Sequence, residues 1–211
     1  MPAGFLGFFG TIRSALNAPE NEVRGCLRIV DSTGKVLEIW WQWDYLFQGT
    51  NGPHKIKISR YDPQRRVWVV GETKHVIYVF SNDGKQLLQT LGVELATAED
   101  DAHFGRPQDL AFLPDGSVLV ADGLTNARIV KLDMNGKHLA NWPNIRFPNH
   151  VQVTEPAPGG FGELHQFLLD SKGNVNMGDN VLGRPQKLTP KKGADPRHLI
   201  GQSVPLARKG R

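Results

Sequence analysis

Apolar residues along this chain alternate with polar ones in short runs, and a turn signal closes each run within a few residues. Val67-Trp-Val-Val70 and Ile129-Val-Lys-Leu132 are of this kind, which predicts strands rather than helices. Three segments superimpose without a gap: Val30-Asp-Ser-Thr-Gly-Lys-Val-Leu37, Phe80-Ser-Asn-Asp-Gly-Lys-Gln-Leu87 and Leu132-Asp-Met-Asn-Gly-Lys-His-Leu139, spaced by 50 and 52 residues. Each reads as a strand end, a tight turn with Gly where positive φ is required, and the start of a second strand. A degraded fourth copy, Leu188-Thr-Pro-Lys-Lys-Gly193, is broken by Pro190.

A second hairpin precedes these turns. Leu110–Asp122 and Phe167–Asp179 each give strand, Gly turn, strand and a terminal Asp, and Ile56–Glu72 is the same unit with a longer turn. Each repeat is therefore a four-stranded antiparallel meander of about 50 residues, which buries both faces only by stacking on copies of itself around an axis. The predicted fold is an all-β propeller. Residues 26–47 supply the outer two strands of a first blade, 53–92 a second, 106–142 a third and 163 to about 200 a ragged fourth, about three and a half blades in all. The organisation expected is an N-terminal segment (1–25), the blades (26–189) and a basic C-terminal tail (190–211).

Composition narrows the function classes. At 211 residues, 39% hydrophobic and 22% charged, the chain has a globular composition, and 23 Gly with 14 Pro argue against a helical bundle. Its longest apolar run is far short of the roughly 20 residues of a membrane-crossing helix, so no membrane insertion is expected. Cys26, the only cysteine, precludes an internal disulfide and reads as a packed thiol. The net charge of +4 resides in the tail, where eight Lys/Arg from Arg184 onward face one acid, Asp195; the rest holds 17 basic and 20 acidic residues. A mildly acidic body with a basic tail speaks against a nucleic-acid partner.

The stretches "GPHKIKI", "FGRPQDLAFLPDGSVLVADGLTNARIVKLDMNGKHL" and "ELHQFLLDSKGNVNMGDNVLGRPQKL" resemble NHL-type repeats of the six-bladed propellers related to peptidyl-α-hydroxyglycine α-amidating lyase, over about residues 26–200. That resemblance implies cleavage of the N–Cα bond of a peptidyl-α-hydroxyglycine to a peptide amide and glyoxylate. It also implies zinc held by histidines at the channel mouth and a structural calcium near the axis. His54 and His165 stand at the start of an innermost strand on alternate blades, with Gln108 in the same slot between them. Two of three zinc ligands are thus expected, and Gln108 is expected to contact ligand. Three His with an open fourth position suit polarisation of a substrate oxygen.

Two positions depart from the family. Leu124 stands in "DGLTNARIV" where the family has tyrosine, and Asn180 in "GDNVLGRPQ" where it has arginine. Leu has no exchangeable proton and Asn no bidentate grip on a carboxylate. The expectation is a module binding a peptide, glycan or protein at the channel mouth, with lost or altered catalysis; the alternative is a zinc-dependent amidating lyase. Asp122, Asn126, Arg128 and Asp179 match the repeat framework and are expected to tie blades together by hydrogen bonds. His75 follows the second strand of its blade, with structural use expected; the other histidines show no ligand spacing. The aromatic run Trp40–Phe47 is expected to fill the wedge between blades as part of an edge strand and its loop. The acidic segment 93–105 lacks the order of a dedicated calcium loop and is expected to be solvated. Family relatives are often exported, whereas no signal peptide is legible here, which leaves the compartment open.

Overall fold

A computed structural model describes residues 4–5, 25–48, 52–123, 125–142, 164–169, 174–179 and 185–189. Leu124, Asn180 and the basic tail lie outside the described residues, as do the side chains of His165 and Asp179. Fourteen strands are described: β1 (Gly4–Phe5), β2 (Arg28–Val30), β3 (Val36–Ile39), β4 (Lys55–Ile58), β5 (Val67–Gly71), β6 (Val76–Phe80), β7 (Leu87–Leu91), β8 (Pro107–Phe112), β9 (Ser117–Asp122), β10 (Arg128–Asp133), β11 (His138–Trp142), β12 (Leu164–Leu169), β13 (Val175–Asp179) and β14 (Pro185–Leu188). They form four antiparallel meanders, β1-β2-β3, β4-β5-β6-β7, β8-β9-β10-β11 and β12-β13-β14. The fold is an all-β propeller arc, with β8 against β4 and β5 on one side and against β12 on the other.

The blades stack because their middle strands are apolar on both faces. β5 and β6 are buried at every position. Trp68, Val70, Ile77 and Val79 face the third blade, meeting Leu110, Val118, Val120, Val130 and Leu132. Val67, Val69, Val76, Tyr78 and Phe80 face the other way, onto Leu27, Trp40 and Phe47. On the far side of the third blade, Ala111, Leu119, Ala121 and Ile129 meet Val175 of the fourth. The outer strands β7 and β11 alternate half-buried and exposed, as strands with one solvated side must.

The three Gly-Lys turns are built alike. The amide N–H groups of Gly34, Gly84 and Gly136 donate to the carbonyl oxygens of Asp31, Ser81 and Asp133, and all three glycines have positive φ. Gly84 and Gly136 also lie tightly under the preceding blade. A Cβ on Gly84 would come within 2.0 Å of the Trp40 ring, and one on Gly136 within 2.3 Å of Leu91, whereas a Cβ on Gly34 would meet nothing. In the β4–β5 turn Arg65 takes the positive-φ position that Gly116 fills in the β8–β9 turn. Arg66 then reaches across blades: its Nε lies 2.8 Å from Asp62 Oδ2 and its Nη1 donates to the Met134 carbonyl at 3.0 Å.

Two features of the first blade differ from the sequence reading. β1 pairs with β2, placing Gly4↔Val30 and Phe5↔Ile29, so the sheet has a third strand drawn from the N-terminal segment. The aromatic run is no edge strand but a 3₁₀ helix, Trp41–Phe47. Trp40, Trp43 and Leu46 recur every third residue and so share a face of a helix with three residues per turn. That face packs in the wedge against Tyr78 and Phe80. Trp43 Nε1 and Gln42 Nε2 donate to the Gly84 carbonyl at 2.7 and 3.0 Å. Trp41 and Tyr45 fall on the opposite side, 56% and 62% exposed. The Asp44 carboxylate accepts from the Gly25 N–H at 2.7 Å and from the Cys26 thiol. Burial and the Asp44 charge push that thiol up to about 12, so Cys26 is packed and unreactive at neutral pH.

Gly84→Ala should add the cost of left-handed backbone, about 1–2 kcal/mol, to an overpacking cost of about 1–3 kcal/mol against Trp40. Gly34→Ala should carry only the first. Urea denaturation of the two variants isolates the Trp40 contact as the difference.

Acid should act through the turn carboxylates. Thr33 holds Asp31 and Ser81 holds Asp83 below the ordinary value of 3.8. Burial opposes ionisation of Asp62, but donors from Arg66 and Gln64 outweigh it, and its value is lowered too. With folded values below unfolded ones, the stabilisation is complete above that pH and is lost as pH falls through the lowered values. The melting temperature should therefore fall from about pH 5 downward, less steeply in Asp62→Asn.

Candidate functional site at the channel mouth

The inner strands β4, β8 and β12 open the second, third and fourth blades, and β8 and β12 each begin with an irregularity. In β8 the register jumps between Pro107↔Asp122 and Asp109↔Ala121, leaving Gln108 as the extra residue. In β12 it jumps between Leu164↔Asp179 and Gln166↔Gly178, leaving His165. His54 donates its N–H to the carbonyl of Val70, the residue paired with Lys55. A bulge bends a strand locally, and Gln108 and His165 share this backbone device.

Around His54 and Gln108 a polar network spans the second and third blades. His54 Nδ1 lies 2.9 Å from the Gln108 carbonyl. A carbonyl only accepts, so a proton is on Nδ1, and Nε2 lies 4.0 Å from Glu72 Oε2. Glu72 Oε1 accepts from Arg106 Nη2. The Arg106 backbone N–H donates to His75 Nδ1 at 3.1 Å, which puts the His75 proton on Nε2. Burial and the Arg106 charge lower the His75 pKa, favouring the neutral ring. Gln108 is buried, and its amide donates to the Arg106 carbonyl at 3.0 Å. Further along the inner strands Lys57 Nζ meets Asp109 Oδ1 at 2.7 Å and the Leu110 carbonyl at 2.6 Å.

Glu72, His75 and Arg106 complete this mouth, and of these the sequence singled out only His75. His75 and Arg106 are both non-glycine residues at positive φ, 63° and 62°. The pattern available in sequence was indirect: Arg106 precedes Pro107, where an extended backbone is the default.

Asp122 ties the third blade to the linker that leads into it. Fully buried, it accepts from the Gly105 N–H at 2.5 Å, from Asn126 Nδ2 at 2.8 Å and from Arg128 Nε at 2.9 Å. Asn126 and Arg128 continue to the carbonyls of Ala98 and His103. Gly105 is required here, since a Cβ would fall 2.4 Å from the Asn126 side chain. Burial raises the Asp122 carboxyl above its ordinary value, against the pull of Arg128, Asn126 and Gly105. Asp179 holds the matching place at the end of β13, opposite Leu164. In the linker, Glu94 meets Lys74 at 2.6 Å, Asp100 meets His103 at 2.8 Å and Asp101 lies 3.4 Å from His138. Three of its carboxylates, those of Glu94, Asp100 and Asp101, thus meet basic side chains. Among the described residues no group of three or more His, Cys, Asp or Glu side chains is gathered for a metal ion. No described helix is long and apolar enough to cross a membrane.

Asp122→Ala should leave Arg128, only 3% exposed, as a buried unpaired cation. A loss of about 3–5 kcal/mol is expected, measured by urea denaturation, with His54→Ala as the mild comparison.

No protein-family model matches the chain. Over 123 residues, 58% of this chain and 32% of the relative, it is 33% identical to the probable peptidyl-alpha-hydroxyglycine alpha-amidating lyase pgal-1 of Caenorhabditis elegans. Over 124 residues, 57% of this chain and 21% of the relative, it is 31% identical to peptidyl-alpha-hydroxyglycine alpha-amidating lyase 1 of Drosophila melanogaster. Each matched stretch spans about a third or less of the relative's own length. A solved protein of unknown function from Bacteroides thetaiotaomicron superposes with a TM-score of 0.56 at 17% identity, over 76% of this chain and 43% of that one. In sequence, then, this propeller arc is similar to part of the peptidyl-α-hydroxyglycine α-amidating lyases.

Proposed function

We propose that this chain is a ligand-binding propeller of the amidating-lyase-like kind, taking a peptide or glycan at its channel mouth, with lyase chemistry lost or altered. One observation carries the reading: an ordered polar mouth built on His54, Glu72, His75, Arg106 and Gln108 accompanies Leu124 and Asn180 at the two positions where the resemblance calls for reactive groups. Loss of a general acid or base costs on the order of 10² to 10⁴ in rate. Binding makes no such demand, because donors and acceptors fixed by the fold suffice.

A second reading, a zinc-dependent lyase, draws support from His54. Its Nδ1–H on a backbone carbonyl is the arrangement that orients metal-bound imidazoles. His54 and His165 would then hold zinc from alternate blades of a six-bladed ring, about 120° apart, and the ion would polarise a substrate oxygen.

One set of measurements on the purified chain separates the two. Incubation with a peptidyl-α-hydroxyglycine should release no glyoxylate above the uncatalysed rate, while a panel of peptides and glycans should include members that raise the melting temperature. Glyoxylate release, with one zinc per chain that disappears in the His54→Ala, His165→Ala double variant, would instead establish the lyase. A panel with no stabilising member would remove the binding reading.

A further inference from the structure

We propose that Asn135 is a modification site, where the chain converts spontaneously to isoaspartate at a rate set by the packing of the second blade on the third. The three Gly-Lys turns share one backbone, but the residue before glycine differs: Thr33, Asp83 and Asn135. Threonine offers no carbonyl to attack, whereas asparagine sets an electrophilic amide beside a glycine nitrogen that no side chain shields. Asn135 is exposed, and among the described residues its side-chain amide makes no hydrogen bond. The comparable groups are held. The Ser81 hydroxyl and the Lys85 N–H keep Asp83 ionised, with its carboxyl below the ordinary value, and an ionised carboxylate is a poor electrophile. Burial opposes ionisation of Asp115, before Gly116, but donors from Ser117 and Lys131 outweigh it. Asn82 donates to the Arg65 carbonyl at 2.7 Å, and Asn126 to Asp122 and the Ala98 carbonyl.

The reaction consumes only water. The Gly136 backbone nitrogen attacks Cγ of Asn135, the Cγ–Nδ2 bond breaks, and the side-chain nitrogen leaves as ammonia with the Gly136 amide proton. Water then opens the cyclic imide at either carbonyl, giving aspartate or isoaspartate. Isoaspartate routes the main chain through Cβ and Cγ, which lengthens the turn by a methylene and leaves a carboxylate beside it. The folded turn has no room for that change, since a Cβ on Gly136 would already fall 2.3 Å from Leu91 of the second blade. Arg66, also of the second blade, holds the Met134 carbonyl at 3.0 Å. Asp133 Oδ1 accepts from the N–H groups of Asn135 and Lys137 at 2.8 and 2.9 Å, and the Gly136 N–H donates to the Asp133 carbonyl at 3.1 Å. The nitrogen can attack only when this turn opens, and contacts from the second blade govern that opening. Conversion in turn unseats Gly136 and weakens the junction between the two blades.

The test incubates the full folded chain at mildly alkaline pH and maps its peptides by mass spectrometry, with fragmentation that separates isoaspartate from aspartate. Asn135 should convert well ahead of Asn82, Asn126 and Asn141, with isoaspartate the main product, and the aged protein should melt a few degrees lower. Asn51, which also precedes a glycine and lies outside the described residues, is read as a separate peptide. Asn135→Thr, which copies the first turn, should keep its melting temperature on ageing. Fresh Asn135→Asp carries the charge without the added methylene and should melt close to the unmodified chain. Arg66→Ala, lacking the clamp on Met134, should convert severalfold faster, and Leu91→Ala takes its place if that variant does not fold. Conversion at Asn135 no faster than at Asn82 would overturn the site. A rate unchanged by either substitution, or equal to that of the chain unfolded in urea, would overturn control by blade packing. Conversion that leaves the melting temperature unchanged would overturn the link between the modification and the junction.

Discussion

A sheet that is apolar on both faces has no stable surface until another sheet covers each side, and this constraint governs the rest of the structure. The middle strands of the second and third blades are buried at every position but Asp133. Trp68 and Val70 look to one neighbour while Val67 and Val69 look to the other. Burying a side chain of this size is worth about 1.5–3 kcal/mol, so the adhesive between blades is made of the same residues as the core within them. An isolated blade would expose half of its apolar residues, and stability is a property of neighbouring pairs rather than of single repeats.

Apolar stacking does not by itself fix how far one blade slides on the next, since a hydrophobic contact has little direction. Polar reaches across the junctions supply that register. Arg66 leaves its own turn for the Met134 carbonyl, Lys57 leaves its strand for the Leu110 carbonyl, and Trp43 donates to the Gly84 carbonyl. Each ends on backbone, which cannot move without its strand. The close seats of Gly84 under Trp40 and of Gly136 under Leu91 act alongside them. A turn glycine kept for its positive φ thus also sets the distance between blades.

Much of this was legible in the chain itself. Alternation with a Gly-Lys turn every 50 to 52 residues reveals the meander, because a tight turn demands particular residues at fixed places. The shared slot of His54, Gln108 and His165 was legible for the same reason, being a repeat position, and the strand irregularities at Gln108 and His165 coincide with it. The aromatic run misled, since a three-residue spacing within a stretch of nearly continuous aromatics reads as easily as alternation. The mouth was harder still. Glu72 and Arg106 are 34 residues apart and meet only when two blades pack, and His75 and Arg106 join through a backbone N–H, which no residue type announces. Arg106 lay in plain view within "FGRPQDL", where strand periodicity gave no reason to stop at it.

The mouth is therefore less a set of residues than a product of the junction between two blades. His54, Glu72 and His75 belong to the second blade and its turns; Arg106 and Gln108 open the third. The His54–Gln108, Glu72–Arg106 and His75–Arg106 contacts all cross from one to the other. Any ligand gripped by groups on both sides must bind the packed junction better than a loosened one, so binding and blade packing are thermodynamically linked. The linkage runs both ways. Contacts far from the mouth, Arg66 on Met134 among them, join the same two blades. A propeller can thus hold two residues in a costly left-handed backbone at its rim, because the apolar faces beneath them fix the geometry with energy to spare.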